Sequence, residues 1–298
     1  MGLTALIVNP TKVDDLAELR QQVAEACAAH GLNAPQVLET TEQDPGRGMA
    51  EQARQQGATL VLSAGGDGTV QAICGGLLGS GVPLGILPLG TGNLLARNLE
   101  LPLDLAAALE VALGGRDRTL DLADATVGEG SPTSFAVMAG MGFDAQMMAD
   151  APEGLKSALG WPAYIVSGLQ HLRDRPQSVE LILDGQPPIT GPARGVVIGN
   201  VGELQAGVAL LPDAVPDDGL LDVVVLAPHK LLDWGRLLGR LMTRSSRQDS
   251  TLARYTARRI EVRTSTPIEA QLDGEAVGPA TRLLVEVRAA SLVVRVPR

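Results

Sequence analysis

Gly65-Gly66-Asp67-Gly68-Thr69 places three glycines and one carboxylate directly after the apolar run Leu60–Leu62. Glycines let a backbone approach a phosphate chain closely. The N–H groups of such a turn, with a helix N-terminus beyond it, favour anionic oxygens. Asp67 repels phosphate unless a divalent cation stands between them. A plain strand-to-helix turn would use the same residue types. The run is neither a Walker A loop nor a Rossmann fingerprint. A second loop, Pro88-Leu89-Gly90-Thr91-Gly92-Asn93, also follows a buried run and opens a helix, and Thr91 and Asn93 offer donors. Asn9-Pro10-Thr11-Lys12 forms a third after the first apolar run. In an open α/β sheet such loops share one edge, where ligands bind. Three polar loops there exceed what packing requires.

Two acidic turns lie further along the chain. Leu272-Asp273-Gly274-Glu275 sets two carboxylates around a glycine at a strand end. A positioned carboxylate can take a proton from an attacking hydroxyl. On local sequence the bland reading, an Asp-Gly hairpin turn, is favoured. Pro212–Asp222 carries Asp213, Asp217, Asp218 and Asp222, and reads locally as an acidic turn before a strand.

The elements that position these residues fall into two regimes. Strands are expected at Leu3–Val8, Ala34–Glu39, Thr59–Ser63 and Pro83–Pro88. Helices are expected over Asp15–His30, Gly48–Gln56, Val70–Leu78 and from Asn93 to Leu99. That alternation predicts a parallel sheet with helices on both faces. After about Asp121 the pattern turns to strands: Ser134–Met138, Ser178–Leu183, Arg194–Gly199, Leu221–Leu226, Arg259–Thr264, Ile268–Leu272, Arg282–Val287 and Ser291–Val296. Helical stretches interrupt them near Leu155–Arg173 and His229–Arg244. The expected domains are 1–122 and 123–289, with a last strand near 290–298 able to pack back on the first.

At 298 residues the chain is long enough for two cores, and with aromatics at only 2% these must be aliphatic. A net charge of −10 argues against nucleic acid as a partner. Cys27 and Cys74 lack metal-ligand spacing and read as buried thiols of a cytoplasmic protein. The N-terminal run reads as a strand rather than a leader, and no stretch has the length of a spanning helix. Lys230–Arg247 sets Arg236, Arg240 and Arg244 on one helical face and leucines with Trp234 on another. A surface helix packed on the sheet is the favoured reading; an interfacial helix on an anionic membrane is the other.

The combination of NPT, GGDGT and PLGTGN resembles the catalytic domain of the diacylglycerol kinase family, which includes bacterial lipid kinases and relatives acting on sphingosine and ceramide. The resemblance extends to Gly142-Phe143-Asp144-Ala145, Leu155-Lys156 with Tyr164, and Gly199-Asn200. The first loop departs from the commoner family form, carrying Val13 and Asp14 where Ser-Gly is usual. The resemblance implies an α/β N-terminal domain with a parallel sheet and a mostly antiparallel β C-terminal domain. It implies an ATP- and Mg²⁺-dependent kinase acting on a lipid hydroxyl, with diacylglycerol first. By the same carry-over ATP lies on Asn9, Pro10, Thr11, Lys12, Thr41, Gly65, Gly66, Asp67, Gly68, Thr69, Val70, Gln71, Thr91 and Asn93. Glu275 becomes the proton acceptor with Asp273 as its partner, joined by Asp67 and Asp121. Asp218 and the carbonyls of Val215 and Leu220 would hold a Mg²⁺ away from ATP. The lipid hydroxyl is expected in the cleft between domains. The implied partners are a lipid at the membrane surface, met peripherally at the inner face, and a second copy of the chain. NAD kinase is the alternative enzyme, and an inactive nucleotide-binding regulator the alternative of another class.

Overall fold

Strand β1 (Leu3–Val8) is buried from Thr4 onward, which requires cover on both faces. It pairs in parallel with β2 (Gln36–Glu39) and β3 (Ala58–Gly65), and β3 pairs in parallel with β4 (Pro83–Pro88). Leu6 and Val8 of β1, with Leu60, Leu62 and Ala64 of β3, pack on α1 (Leu16–Ala29) and on the later helix Leu105–Gly114. The alternate residues face the opposite layer, where α2 (Arg47–Gln55) and α3 (Asp67–Leu77) pack together. A short helix, α4 (Leu94–Asn98), precedes the fifth, α5 (Leu105–Gly114). Asp15 caps α1 through the amides of Ala17 and Glu18, and Gly31 (φ +71°) ends it. The strand order 2-1-3-4 matters most for function: it reverses between β1 and β3, so their carboxyl ends open a crevice. The last strand of the chain adds to this sheet, with Val293 and Val294 parallel to Pro83 and Leu84.

The computed structural model describes residues 2–142, 176–203, 209–228, 233 and 251–298. The chain divides into two units, Met1–Leu122 with Ala289–Arg298, and Ala123–Arg288. Strand β5 (Arg116–Val127) passes from the first to the second, and its second-unit end pairs with β6 (Thr133–Phe135). In the second unit β7 (Met138–Gly142) lies between β10 (Gly195–Gly199) and β13 (Arg259–Leu272). β8 (Gln177–Leu183) pairs with β13 and with β9 (Ile189–Ala193). β11 (Leu221–Leu226) joins β10 to β12 (Leu252–Ala257), and β14 (Glu275–Val296) returns along β13. All these pairings are antiparallel. Their inward residues build one aliphatic core around Phe135, Met141, Val223 and Leu283.

Several element boundaries depart from the expectation. The run read as one strand, Ser134–Met138, is broken after Phe135 because the amides of residues 136–138 bond to a side chain instead of a neighbouring strand. Thr264 and Ile268 belong to one continuous strand; Ser265-Thr266-Pro267 is a register shift inside it. β5, β9, β12 and α5 are elements that the sequence pattern does not predict. No described helix is long and apolar enough to cross a membrane. The stretches Leu155–Arg173 and His229–Arg244, the basic run Lys230–Arg247, and Phe143-Asp144-Ala145, Lys156 and Tyr164 lie outside the described residues, apart from Asp233.

Candidate active site

The first loop closes on the second strand of the crevice. The Asn9 amide donates to the Ala64 carbonyl at 2.9 Å, and its side-chain Nδ2 donates to Thr69 Oγ1 at 3.4 Å. Its Oδ1 accepts from the Thr11 amide and hydroxyl at 3.0 and 2.8 Å, closing the 3₁₀ turn Pro10–Lys12. One asparagine thus orders its own loop and ties it to the glycine loop after β3.

That glycine loop and the one after β4 are locked together by Asp67. Its Oδ2 accepts from the Asn93 amide at 2.9 Å and its Oδ1 from the Leu94 amide at 2.6 Å. The carboxylate therefore caps α4, although it sits in the first turn of α3. α3 itself begins at Gly66 with no side-chain cap, which leaves its leading amides directed at the crevice. Gly90 passes so close that a Cβ there would lie 2.6 Å from Gly66 Cα. Asn93 takes φ +50° and folds back, accepting from the Gly90 amide and donating to its carbonyl. Arg97 Nε donates to the Gly92 carbonyl at 2.8 Å. Thr91 is left exposed at the tip. Of the expected ATP contacts, Val70 offers least: its amide closes the first turn of α3 on the Gly66 carbonyl and its side chain is buried. Thr41 belongs to a separate turn after β2, bonded to Asp44. Gln71 lies half-buried on α3.

In the second unit Asp273 and Gly274 form a two-residue hairpin turn between β13 and β14, both with positive φ (+45° and +91°). The local reading of an Asp-Gly turn is thus correct as structure. The Asp273 carboxylate is buried and accepts three amides: Val137 at 3.0 Å, Met138 at 2.8 Å and Ala136 at 3.2 Å. Glu275, two residues on, is exposed. Of these two acids only Glu275 has a carboxylate open to a ligand. Asp121 resembles Asp273: it is buried and accepts the amide of Ala290, a residue held at φ +51°. Three of the four acids expected to act in catalysis therefore hold backbone. The signal is hard to find in sequence, because every amide they bind lies 26 or more positions away.

The acidic segment before β11 concentrates charge. Burial, then the neighbouring Asp218 and Asp213, push the Asp222 carboxyl up to about 6, with Arg254 opposing them. Asp218 Oδ1 accepts the Leu220 amide at 2.9 Å across Gly219 (φ +77°). Among the described residues no three acidic, histidine or cysteine side chains form a metal cluster. The expected set of one carboxylate and the Val215 and Leu220 carbonyls has oxygen ligands only, and the surplus negative charge suits a hard cation.

Comparisons with known proteins show the family and the fold. Residues 4–125 match the diacylglycerol kinase catalytic domain, and residues 136–296 match the YegS C-terminal NAD kinase beta sandwich-like domain. The "Probable lipid kinase YegS" of Shigella flexneri is 30% identical over 98% of this chain and 95% of its own length. A diacylglycerol kinase structure from Bacillus anthracis superposes with a TM-score of 0.75 at 22% identity, covering 99% of this chain and 97% of the other. An NAD kinase from Archaeoglobus fulgidus in complex with ATP shares the fold at a TM-score of 0.55 and 15% identity, over 98% and 93% of the two chains.

Proposed function

The chain belongs to the YegS-type lipid kinases with a diacylglycerol kinase catalytic domain, and from that premise we propose that it transfers the γ-phosphate of ATP to the hydroxyl of diacylglycerol, giving phosphatidic acid. The observation that carries the reading is the contrast between two helix starts. Asp67 caps α4, while α3 keeps its amides uncapped beside loops held by Asn9 and Asp67. An anion is the natural partner of such a terminus. The triphosphate lies there, with Thr11, Lys12 and Thr91 around it. Diacylglycerol comes first among acceptors because the matched domain and the Bacillus anthracis neighbour carry that name.

Glu275 takes the proton of the attacking hydroxyl, since its carboxylate is exposed and Asp273 is committed to three amides. Asp273 positions Glu275 by fixing the hairpin. Asp67 positions the glycine loops. Each Asp67 oxygen still has lone-pair capacity for a Mg²⁺ that travels with ATP; when bound, that ion would neutralise charge building on the phosphate oxygens. A second Mg²⁺ at Asp218, Val215 and Leu220 would offset the crowding of Asp213, Asp218 and Asp222. An acceptor held in a bilayer implies peripheral contact with the membrane.

Phosphate transfer from labelled ATP, with Mg²⁺, to diacylglycerol, phosphatidylglycerol, sphingosine, ceramide and NAD tests this. Labelled diacylglycerol is expected. Labelling of NAD alone would overturn the lipid reading, and labelling of another lipid would replace the acceptor.

A further inference from the structure

The hairpin that presents Glu275 carries one residue too many. β13 and β14 pair Leu272 with Glu275 and Gln271 with Ala276, but the next position, Ala270, faces Gly278. Val277 is the extra residue of a β-bulge. It is 45% exposed, an aliphatic side chain left in water, so the insertion adds no packing. Gly278 absorbs it at φ +97°. A Cβ added to Gly278 meets nothing within 4 Å. Space does not demand glycine there; the backbone angle does. Pro279 follows, a residue that strands accept at bulges and edges.

The bulge decides where Glu275 falls. Side chains directly across an antiparallel pair share a face. Glu275 therefore shares the face of Leu272, and beyond the bulge Ala280, opposite Ile268, lies on it too. Leu272 and Ala280 both belong to the core of this unit. Counted back from Ala280 along a regular strand, alternation would put Ala276 on that face and Glu275 on the other. To keep the downstream register without a bulge, the surplus residue would have to enter the turn. The turn would then be Asp273-Gly274-Glu275, with Ala276 opposite Leu272, and Glu275 would leave the ladder for the tip. From the other strand the turn is pinned at two residues: the Gly274 amide donates to Oε1 of fully buried Gln271 at 2.8 Å.

We propose that the Val277–Gly278 bulge aims the Glu275 carboxylate and that Gly278 is a positioning residue for the transfer, an inference that rests on Glu275 as the base. A slip of one residue moves a side chain ~3.4 Å along a strand. A misplacement of about 1 Å already costs a reaction about 10²-fold.

Two variants separate register from stability. Gly278→Val keeps the surplus residue and denies it the positive φ. Deleting Gly278 removes the surplus, and Val277 then pairs with Ala270 ahead of Pro279, where extended backbone is preferred. The shortened chain is the one expected to work. The kcat for lipid phosphorylation should fall about 10²-fold in Gly278→Val and largely return in the deletion. The KM for ATP, set by the loops of the first unit, should stay constant in both, and thermal melting confirms folding. Where Gly278→Val does not fold, Gly278→Ala imposes the same angle penalty in milder form. Amide hydrogen exchange reads the turn without chemistry: Gly274 should be protected in wild type and in the deletion, and should exchange faster in the substitution. A folded substitution with wild-type kcat overturns the proposal, as does a deletion no more active than the substitution. Glu275→Gln tells which reading failed. If it is inactive while the Gly278 substitution is fully active, the base stands and the bulge is only a kink. If it is fully active, the base assignment falls and the positioning role falls with it.

Discussion

Asp67 in the first unit and Asp273 in the second use one device for different ends. Each sits in a glycine turn and each accepts amides from a distant segment. Asp67 caps one helix and so leaves the neighbouring one uncapped for an anion. Asp273 gathers the chain between β6 and β7 and so presents the residue two places on. The lesson is that an acid in a conspicuous motif can act by position. The group that touches substrate can be the plainer neighbour, here the α3 amides or Glu275.

The sharpest way to break this comparison is to exchange the roles within one turn. Glu275→Gln removes the base and no described hydrogen bond. It should lower kcat by about 10²–10⁴ and leave melting and ATP affinity unchanged. Asp273→Asn should mainly lower stability, since an amide cannot accept all three N–H groups; leaving one buried and unsatisfied costs about 1–3 kcal/mol. Kinetics and thermal melting on both variants decide it. A folded, stable Asp273→Asn with no activity beside a normal Glu275→Gln would reverse the assignment.

In the first unit the corresponding test is Gly90→Ala. The new Cβ would meet the Gly66 Cα backbone at 2.6 Å, so the two loops must part. ATP affinity, measured by calorimetry, should fall roughly tenfold, about 1.4 kcal/mol. Asp67→Asn should cost about 1 kcal/mol of stability through the weakened α4 cap and should also lower ATP affinity. Full ATP affinity in both variants would mean that the lock between loops is unrelated to nucleotide.

The parallel sheet was legible because its strands are short apolar runs ending in Asn-Pro, Gly-Gly and Gly-Thr-Gly signals, which are local. The three loops followed for the same reason. The Asp-Gly turn was legible as a turn. What Asp67, Asp121 and Asp273 bind was not, since a carboxylate carries no mark of which distant amide it will meet. β13 and β14 each look like a pair of strands in sequence because Ser265-Thr266-Pro267 and Ala289-Ala290 interrupt alternation. The structure carries the chain through both, by a register shift in one case and by Asp121 holding Ala290 in the other. β9 is not predicted because Gly191 and Pro192 argue against a strand.

The smallest expected effect sharpens the comparison from outside the site. Glu261 on β13 is a buried carboxylate with no place in the chemistry, satisfied by guanidinium groups instead of amides. It accepts from Arg282 Nε at 2.6 Å and Arg263 Nε at 2.9 Å, two arginines that face each other across β13 and β14. Burial alone would raise its pKa; the hydrogen bonds from Arg282 and then Arg263 more than reverse that and hold it below the usual glutamate value. A group depressed on folding stabilises the native state above its unfolded pKa, near 4.3. That contribution is complete at neutral pH and is lost as pH falls through the lower native value. Both arginines are partly exposed, so the effect is discounted to about 1 kcal/mol. Glu261→Gln should therefore lower denaturant stability by that amount at pH 7, and the difference from wild type should shrink below pH 4. Activity should not change. A gap that persists undiminished at acid pH would show that Glu261 acts through packing, and amide-held and arginine-held carboxylates would then be separable only by mutation, not by titration.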